Sequence, residues 1–540
     1  MSRPMLLPES SFVPVTTCRL AQPTLLWQDE CAAAMGFDPE HVYCCPTAGE
    51  QAGIYTAETR LEWADRYGGV GVGAAGGSGR CAAYGGLQTK GVGVTPLVGH
   101  DADANHSSGE QTVLSALTEA VFAQVFQAAL PFGAVPTLSV LLVRRMGEAR
   151  LSPSARAVTV RPFVLRPAHF IRNMLNQQQR QPQGVMAPGL ARDTYRVTQA
   201  LRQFVAGLET CLGVNATDDV STIDQGLRAL TRRLAWQFAA SFAKRLPHGS
   251  VSCSNISLAG QFLDYGMSHA LPTYRCPTDA EQNPWTESQR PLQTLWVLRQ
   301  QLDKYFPGLR GMPVVQPDEL RHLYWSAYEE RLRIEMAKMA GLTEDLAQAC
   351  PPALLAAWLQ AMRGIWLPGG REPLAPRDAT EAWRPMPVDP KRPDLNRVLA
   401  AAAPHDDAVA MDQAIAPLLA DAGSRRRFVD AAVAVRQALK PELGGAAGAL
   451  STYLVAQAER KNQVMPQLER DSWFRIGVVA QMLDEDFQPT AVQALMKDAV
   501  SRTRHTLADL APDIPGCTGI EQVQALAPKQ AETNCALMAA

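Results

Sequence analysis

The chain has 540 residues, with 51 Lys and Arg set against 53 Asp and Glu. That balance excludes the basic excess a nucleic-acid surface needs, and a 46% apolar composition fits a globular protein of roughly three or four domains of about 150 residues. No run of about 18 apolar residues is present to cross a membrane, residues 1–8 carry no secretory signal pattern, and the cysteines are scattered without a CxxC pair, so a cytoplasmic protein with free thiols is expected.

In chain order, residues 1–60 are mixed and form a separate N-terminal segment in this reading. Residues 67–79, YGGVGVGAAGGSG, are too rich in glycine for a helix or strand interior and mark a loop. Tyr84 to Thr89 reads as a short strand leading to Lys90. Residues 111–130 have apolar side chains at helical spacing, and 138–143 and 157–164 read as strands. The Gln-rich stretch 176–190 reads as a loop. Helical patterning dominates from about 193, a Pro-rich linker covers 367–393, and helices return over 394–505. The expected fold class is α+β, with a mixed lobe at 61–175, a helical lobe at 176–366 and a helical extension at 394–540.

Chemistry concentrates in residues 248–266, HGSVSCSNISLAGQFLDYG. Asn255 and Asp264 offer an amide oxygen and a carboxylate from neighbouring short strands. Mg²⁺ on ATP phosphates takes hard oxygen ligands of this kind. Alone, the DYG triplet favours Asp264 as a turn aspartate before glycine. In the loop Gly76–Arg80, the backbone of Gly77, Ser78 and Gly79 could approach phosphate oxygens, and Arg80 adds a fixed charge. The other reading is a surface loop. Lys90 followed by Glu119 on a helix matches a phosphate-bridging lysine held by a carboxylate. Arg161, Arg166 and Arg172 could clamp phosphates. The order of Gly-rich loop, Lys, helix Glu, then Asn and Asp is the order of protein-kinase sites.

These residues resemble the selenoprotein O (SelO) family of protein adenylyltransferases. Residues 248–266 are similar to its HGxxNxDN…DYG pattern without a gap, matching at His248, Gly249, Asn255, Ser257, Gly260, Asp264, Tyr265 and Gly266. LQTKGVGVTP (87–96) resembles LQLKGAGxTP, GGSGR (76–80) resembles GDGR, and SSGEQTVLSALTE (107–119) resembles ADGRAVLRSSIRE, with Glu119 at the helix glutamate. Residues 134–137, EMAKMAGL (335–342) and 388–402 extend the likeness over about 60 to 500.

The resemblance implies a protein-kinase-like bilobal fold with an additional C-terminal helical extension. It implies ATP bound in a flipped orientation, with Mg²⁺ or Mn²⁺, and AMP passed to a hydroxyl of a protein or peptide. Asn255 and Asp264 then hold metal, and Lys90, Ser108, Gly109, Arg161 and Arg172 contact nucleotide, with Arg166 a rival for one arginine position. The chain departs from the pattern where the family's catalytic Asp is Ser254, its preceding Asn is Ser252, and its ADGR Asp and Arg are Ser108 and Glu110. A serine is no carboxylate base. An ATP-binding pseudoenzyme and a γ-phosphate kinase therefore stay open, as does compensation by Asp224 or Glu110. The acceptor is a protein, peptide or small molecule, and His248 is expected to bond backbone near the metal loop.

Overall fold

The computed structural model describes residues 6–46, 53–69, 77, 79–98, 108–143, 155–173, 189–271, 273–275, 278–279, 286–309, 311–366, 373–374, 393–458, 461–462 and 489–508. Most of the glycine-rich run, residues 176–188 of the expected 176–190 loop and most of the Pro-rich linker lie outside them, while Gly189 and Leu190 open a helix rather than end a loop.

Strands form at Phe12–Leu20 (β1), Thr24–Gln28 (β2), Tyr43–Cys44 (β3), Tyr55–Asp65 (β4), Cys81–Tyr84 (β5), Leu87–Lys90 (β6), Gln111–Thr112 (β7), Ser139–Leu142 (β8) and Arg156–Pro162 (β9). They make one nine-stranded sheet in the order β2-β8-β9-β6-β5-β4-β1-β3, with β7 pairing β9. The paired neighbours run antiparallel, so the chain is α+β. Residues 1–60 are not apart from this sheet, since β1 lies along β4 from Phe12 opposite Asp65 to Leu20 opposite Tyr55. The single strand expected at 84–89 is a hairpin instead. Gly85 and Gly86 adopt φ of 60° and 85°, the left-handed turn whose twist matches the flanking strands.

Helix Val113–Ala129 (α1) starts where the Thr112 hydroxyl accepts the Ser115 amide at 3.2 Å. It is buried on nearly every side, so both its faces need cover. One packs on β8 and β9, and the other is covered by the C-terminal helix Pro489–Ala508, described below.

The remaining chain is helical. Gly189–Leu201 (α2) and Phe204–Leu212 (α3) precede Asp219–Ala243 (α4), whose N-terminus is capped by Asp218 accepting the Ser221 amide at 2.9 Å. Arg290–Tyr305 (α5) and Pro317–Met339 (α6) follow, and α6 packs along α4. Then come Glu344–Ala349 (α7), Pro352–Trp366 (α8), Leu395–Ala402 (α9), Ala408–Ile415 (α10), Ala422–Leu443 (α11), a helical stretch over 450–458, and Pro489–Ala508 (α12). The helices expected over 394–505 thus make up most of the described part of that range, with turns at 403–407 and 416–421 and a 3-10 helix at Gly444–Ala449. Strand residues Thr278–Asp279 and Pro373–Leu374 pair in parallel, so part of the expected linker is tied to the segment after Asp264.

Candidate functional site

Residues in a strand alternate sides, so Gln88 and Lys90 of β6 project to one face, toward α1. Lys90 and Glu119 are each 1% exposed and form an ion pair there. Asp264 reaches the same ammonium from a tight hairpin, in which Ile256 and Phe262 bridge antiparallel and the Leu263 amide donates to the Asn255 carbonyl at 3.1 Å. The hairpin is joined to the segment after α1 by the Val135 amide on Phe262 O, 2.8 Å, and by the Tyr265 hydroxyl on Val135 O, 2.8 Å. Lys90 Nζ stands 2.5 Å from Asp264 Oδ1, and Arg80 Nη2 stands 3.9 Å from Asp264 Oδ2.

Asp264 has φ of 68°, a left-handed conformation that costs a non-glycine residue about 1–3 kcal/mol. Its carboxylate is therefore held in place by the surrounding bonds rather than by local preference. Burial alone would raise its pKa, but Lys90, Arg80 and Arg161 together hold it well below the usual carboxylate range.

Behind this triad lies a buried polar network. Gln88 Oε1 accepts from Arg161 Nε and Nη2 at 3.0 and 2.9 Å and from Arg166 Nη2 at 2.7 Å. The Gln88 amide donates to Asp65 at 3.0 Å, and Asp65 also meets His169 Nε2 at 3.1 Å and Arg166 at 3.9 Å. Arg161 and Arg166 are 5% and 3% exposed. Two buried guanidiniums thus share a neutral amide oxygen, of which Arg166 alone also meets the Asp65 carboxylate and donates to the Ser254 carbonyl at 3.3 Å, while Arg166 Nε has no hydrogen-bond partner. Buried charge in this state favours an anion.

Arg172 is placed elsewhere. The chain turns through the short 3-10 helix Pro167–Phe170, and the Arg172 guanidinium then meets Tyr305 of α5 at 3.4 Å. Arg166, the rival position, is the one that stands beside Arg161.

Ser252 and Ser254 lie in the turn that leads into this hairpin. Ser254 is 8% exposed, its Oγ lies 2.8 Å from Ser252 Oγ, and it donates to Asn255 Oδ1 at 3.3 Å. Asn255 Nδ2 donates to the Ser250 carbonyl at 2.7 Å, so its Oδ1 is the acceptor that meets Ser254. Asp224 binds Arg228 and the Val315 amide among the helices, and the Glu110 amide donates to Ser108 Oγ at 3.2 Å. Neither acid is bonded to Ser254.

Glycine in the expected phosphate loop also serves close packing within the chain. A Cβ on Gly77 would stand 2.6 Å from Asp65 O, one on Gly79 2.7 Å from Val98, and one on Gly109 2.2 Å from the Gly93 carbonyl. Ser78 lies outside the described residues. Gly77, Gly79 and Arg80 therefore run against residues 65–66 and 92–98, next to the strand that carries Lys90.

His248 Nε2 bonds the Leu263 carbonyl at 2.9 Å, and burial pushes its pKa down to about 4, so the ring is a neutral donor to backbone. Sequence reading missed Gln88, Asp65 and His169. Gln88 was within reach, two residues before Lys90 on the same strand face. Asp65 and His169 carry no local signal.

Among the described residues no group of three or more His, Cys, Asp or Glu could hold a metal. Asn255 and Asp264 present one amide oxygen and one carboxylate, a set that fits a hard cation bringing phosphate oxygens of its own. No protein-family model matches the chain, and no curated protein matches it.

Proposed function

We propose that this chain is an ATP-dependent nucleotidyltransferase similar to the SelO adenylyltransferases, with a protein-kinase-like bilobal fold. In this reading the sheet with α1 is the smaller lobe, the helices from α2 are the larger, and α9 to α12 form the C-terminal extension. The observation that carries the reading is Lys90 held between Glu119 and Asp264 beside the buried Arg161–Gln88–Arg166 network. A lysine, a helix carboxylate and a hairpin aspartate that are far apart in sequence meet at one point, next to a site with surplus buried positive charge.

Lys90 and Arg80 take up phosphate oxygens, and Glu119 keeps Lys90 aimed at them. Arg161 and Arg166 receive the distal phosphates through their remaining N–H groups. Asn255 and Asp264 would hold Mg²⁺ or Mn²⁺, which would supply charge neutralisation at the phosphates. An acceptor oxygen attacks the α-phosphorus, its bond to phosphorus forms as the bond to the bridging oxygen breaks, and pyrophosphate leaves. The proton of the acceptor passes to water, since Ser254 Oγ is bonded to the Ser252 hydroxyl and the Asn255 amide rather than to a carboxylate.

That last feature favours a second reading, a nucleotide-binding pseudoenzyme. The test is incubation with α-labelled ATP and Mn²⁺, with and without lysate protein. Transfer of label, lost in Asp264→Asn, supports the transferase. ADP as the product indicates a kinase. ATP-induced stabilisation without any turnover supports the pseudoenzyme, and the absence of both stabilisation and label defeats nucleotide chemistry altogether.

A further inference from the structure

Glu287 opens the short 3-10 helix before α5 and is 8% exposed. Both of its carboxylate oxygens are used. Oε2 accepts the His248 amide at 2.9 Å, and Oε1 accepts the Gly249 amide at 2.7 Å. These two amides begin the loop that carries Asn255. Gly249 has φ of 85°, and a Cβ there would stand 1.9 Å from Met267 O, so this turn has little room to move.

From that anchor the contacts run to both proposed metal ligands. The His248 ring accepts the Ser250 amide on Nδ1 at 3.3 Å and donates through Nε2 to Leu263 O at 2.9 Å, the residue before Asp264. The Ser268 hydroxyl closes the back of the turn on His248 O at 2.9 Å. Ser250 in turn fixes the Asn255 amide at 2.7 Å.

We propose that Glu287 is a positioning residue for the hairpin from Asn255 to Asp264, and that the negative charge of its carboxylate does the holding. A carboxylate accepts two N–H groups at once through equivalent oxygens. A neutral acid keeps one good acceptor, and its own proton then needs a partner. Burial raises the Glu287 pKa to about 7, against the two amides and Arg290, which lower it. The groups around it are His248 on the loop, Arg245 beyond α4 across the same small cavity, Tyr324 of α6, and Arg290 on its own element. The Tyr324 hydroxyl donates to Ser288 O at 2.6 Å. His248 is neutral through this pH range, so the charge that changes is that of Glu287. While Glu287 stays buried, its two amide bonds are thus strongest above neutrality and weaken as it takes up a proton, although the buried charge lowers the stability of the whole fold there.

The experiment reads the His248 and Gly249 amides by hydrogen exchange, without ligand, at about pH 6 and about pH 8. The expected result is a loss of protection of about tenfold at the lower pH, the scale of one hydrogen bond to a charged group. Glu287→Gln is expected at the low value at both. Equal protection at the two pH values in the wild type overturns the proposal, and that measurement decides even if the variant does not fold. In parallel, Mn²⁺ binding with a non-hydrolysable ATP analogue is measured by electron paramagnetic resonance, an arm that rests on the nucleotide reading above. Weaker binding at low pH, flattened in Glu287→Gln, supports the proposal, and an unflattened profile in a folded variant overturns it for the metal site. PH-dependent amide protection with no nucleotide binding leaves the Glu287 assignment standing and defeats the nucleotide reading instead.

Discussion

Lys90 is a buried ammonium shared by two carboxylates, and each of the three charges depends on the others. Asp264→Asn removes the carboxylate from the proposed metal pair while keeping its shape, so loss of nucleotide-dependent Mn²⁺ binding is expected, with label transfer reduced by roughly 100-fold or more, in binding and transfer assays. Ser254→Asp restores a carboxylate where only hydroxyls stand, and a rise in transfer of about 10²-fold is the scale of a general base. An unchanged rate in that variant shows that proton removal is not limiting. The two acids shift stability in opposite directions. The Asp264 pKa is depressed, so its contribution is present above the ordinary carboxylate value and is lost as pH falls through the lower folded value. The Glu287 pKa is raised to about 7, so its contribution is full below the ordinary value and is lost as pH rises through about 7. Thermal unfolding across pH should therefore flatten below about pH 4 in Asp264→Asn and between about pH 5 and pH 7 in Glu287→Gln.

At the scale of the elements, loops and caps decide how closely the site's backbone can approach itself. Gly109 and Gly213 have nearly the same dihedral, φ of 67° and 68°. A Cβ at Gly109 meets the Gly93 carbonyl at 2.2 Å, whereas nothing lies within 4 Å of one at Gly213. Gly213→Ala is expected to cost only the left-handed penalty, about 1 kcal/mol, while Gly109→Ala adds a backbone clash and should cost clearly more in urea unfolding. Equal losses would show that the Gly93–Gly109 approach is soft. The same scale shows what periodicity could reach. The α1 stripe, β8 and β9 were legible because their apolar residues repeat at the helical or strand period. The β5–β6 hairpin was not, since Gly85-Gly86 was absorbed into one strand.

For the whole molecule, the C-terminal helix matters because α1 is buried on nearly every side. Val492 and Met496 of α12 are buried, Gln493 donates to Leu25 O at 2.6 Å, and Arg504 donates to Gln124 of α1 at 3.0 Å. Met496→Ala should cost about 2–5 kcal/mol of stability, the range for a large buried side chain, measured by denaturant unfolding. A change under about 0.5 kcal/mol, as at surface sites, would show that α12 is not part of the core.

The sequence by itself determined the order of the chemistry-bearing residues, the helix that carries Glu119 and the closeness of Asn255 to Asp264 along the chain. These follow from local periods and turn residues, which a chain carries in any context. Tertiary structure alone decided that Arg166 rather than Arg172 stands beside Arg161, because a 3-10 turn between them sends the two side chains different ways. It also brought Asp65 and His169 to Gln88 and Glu287 to the His248 and Gly249 amides. Buried polar groups seek partners wherever the fold supplies them, and those partners lie far away along the chain.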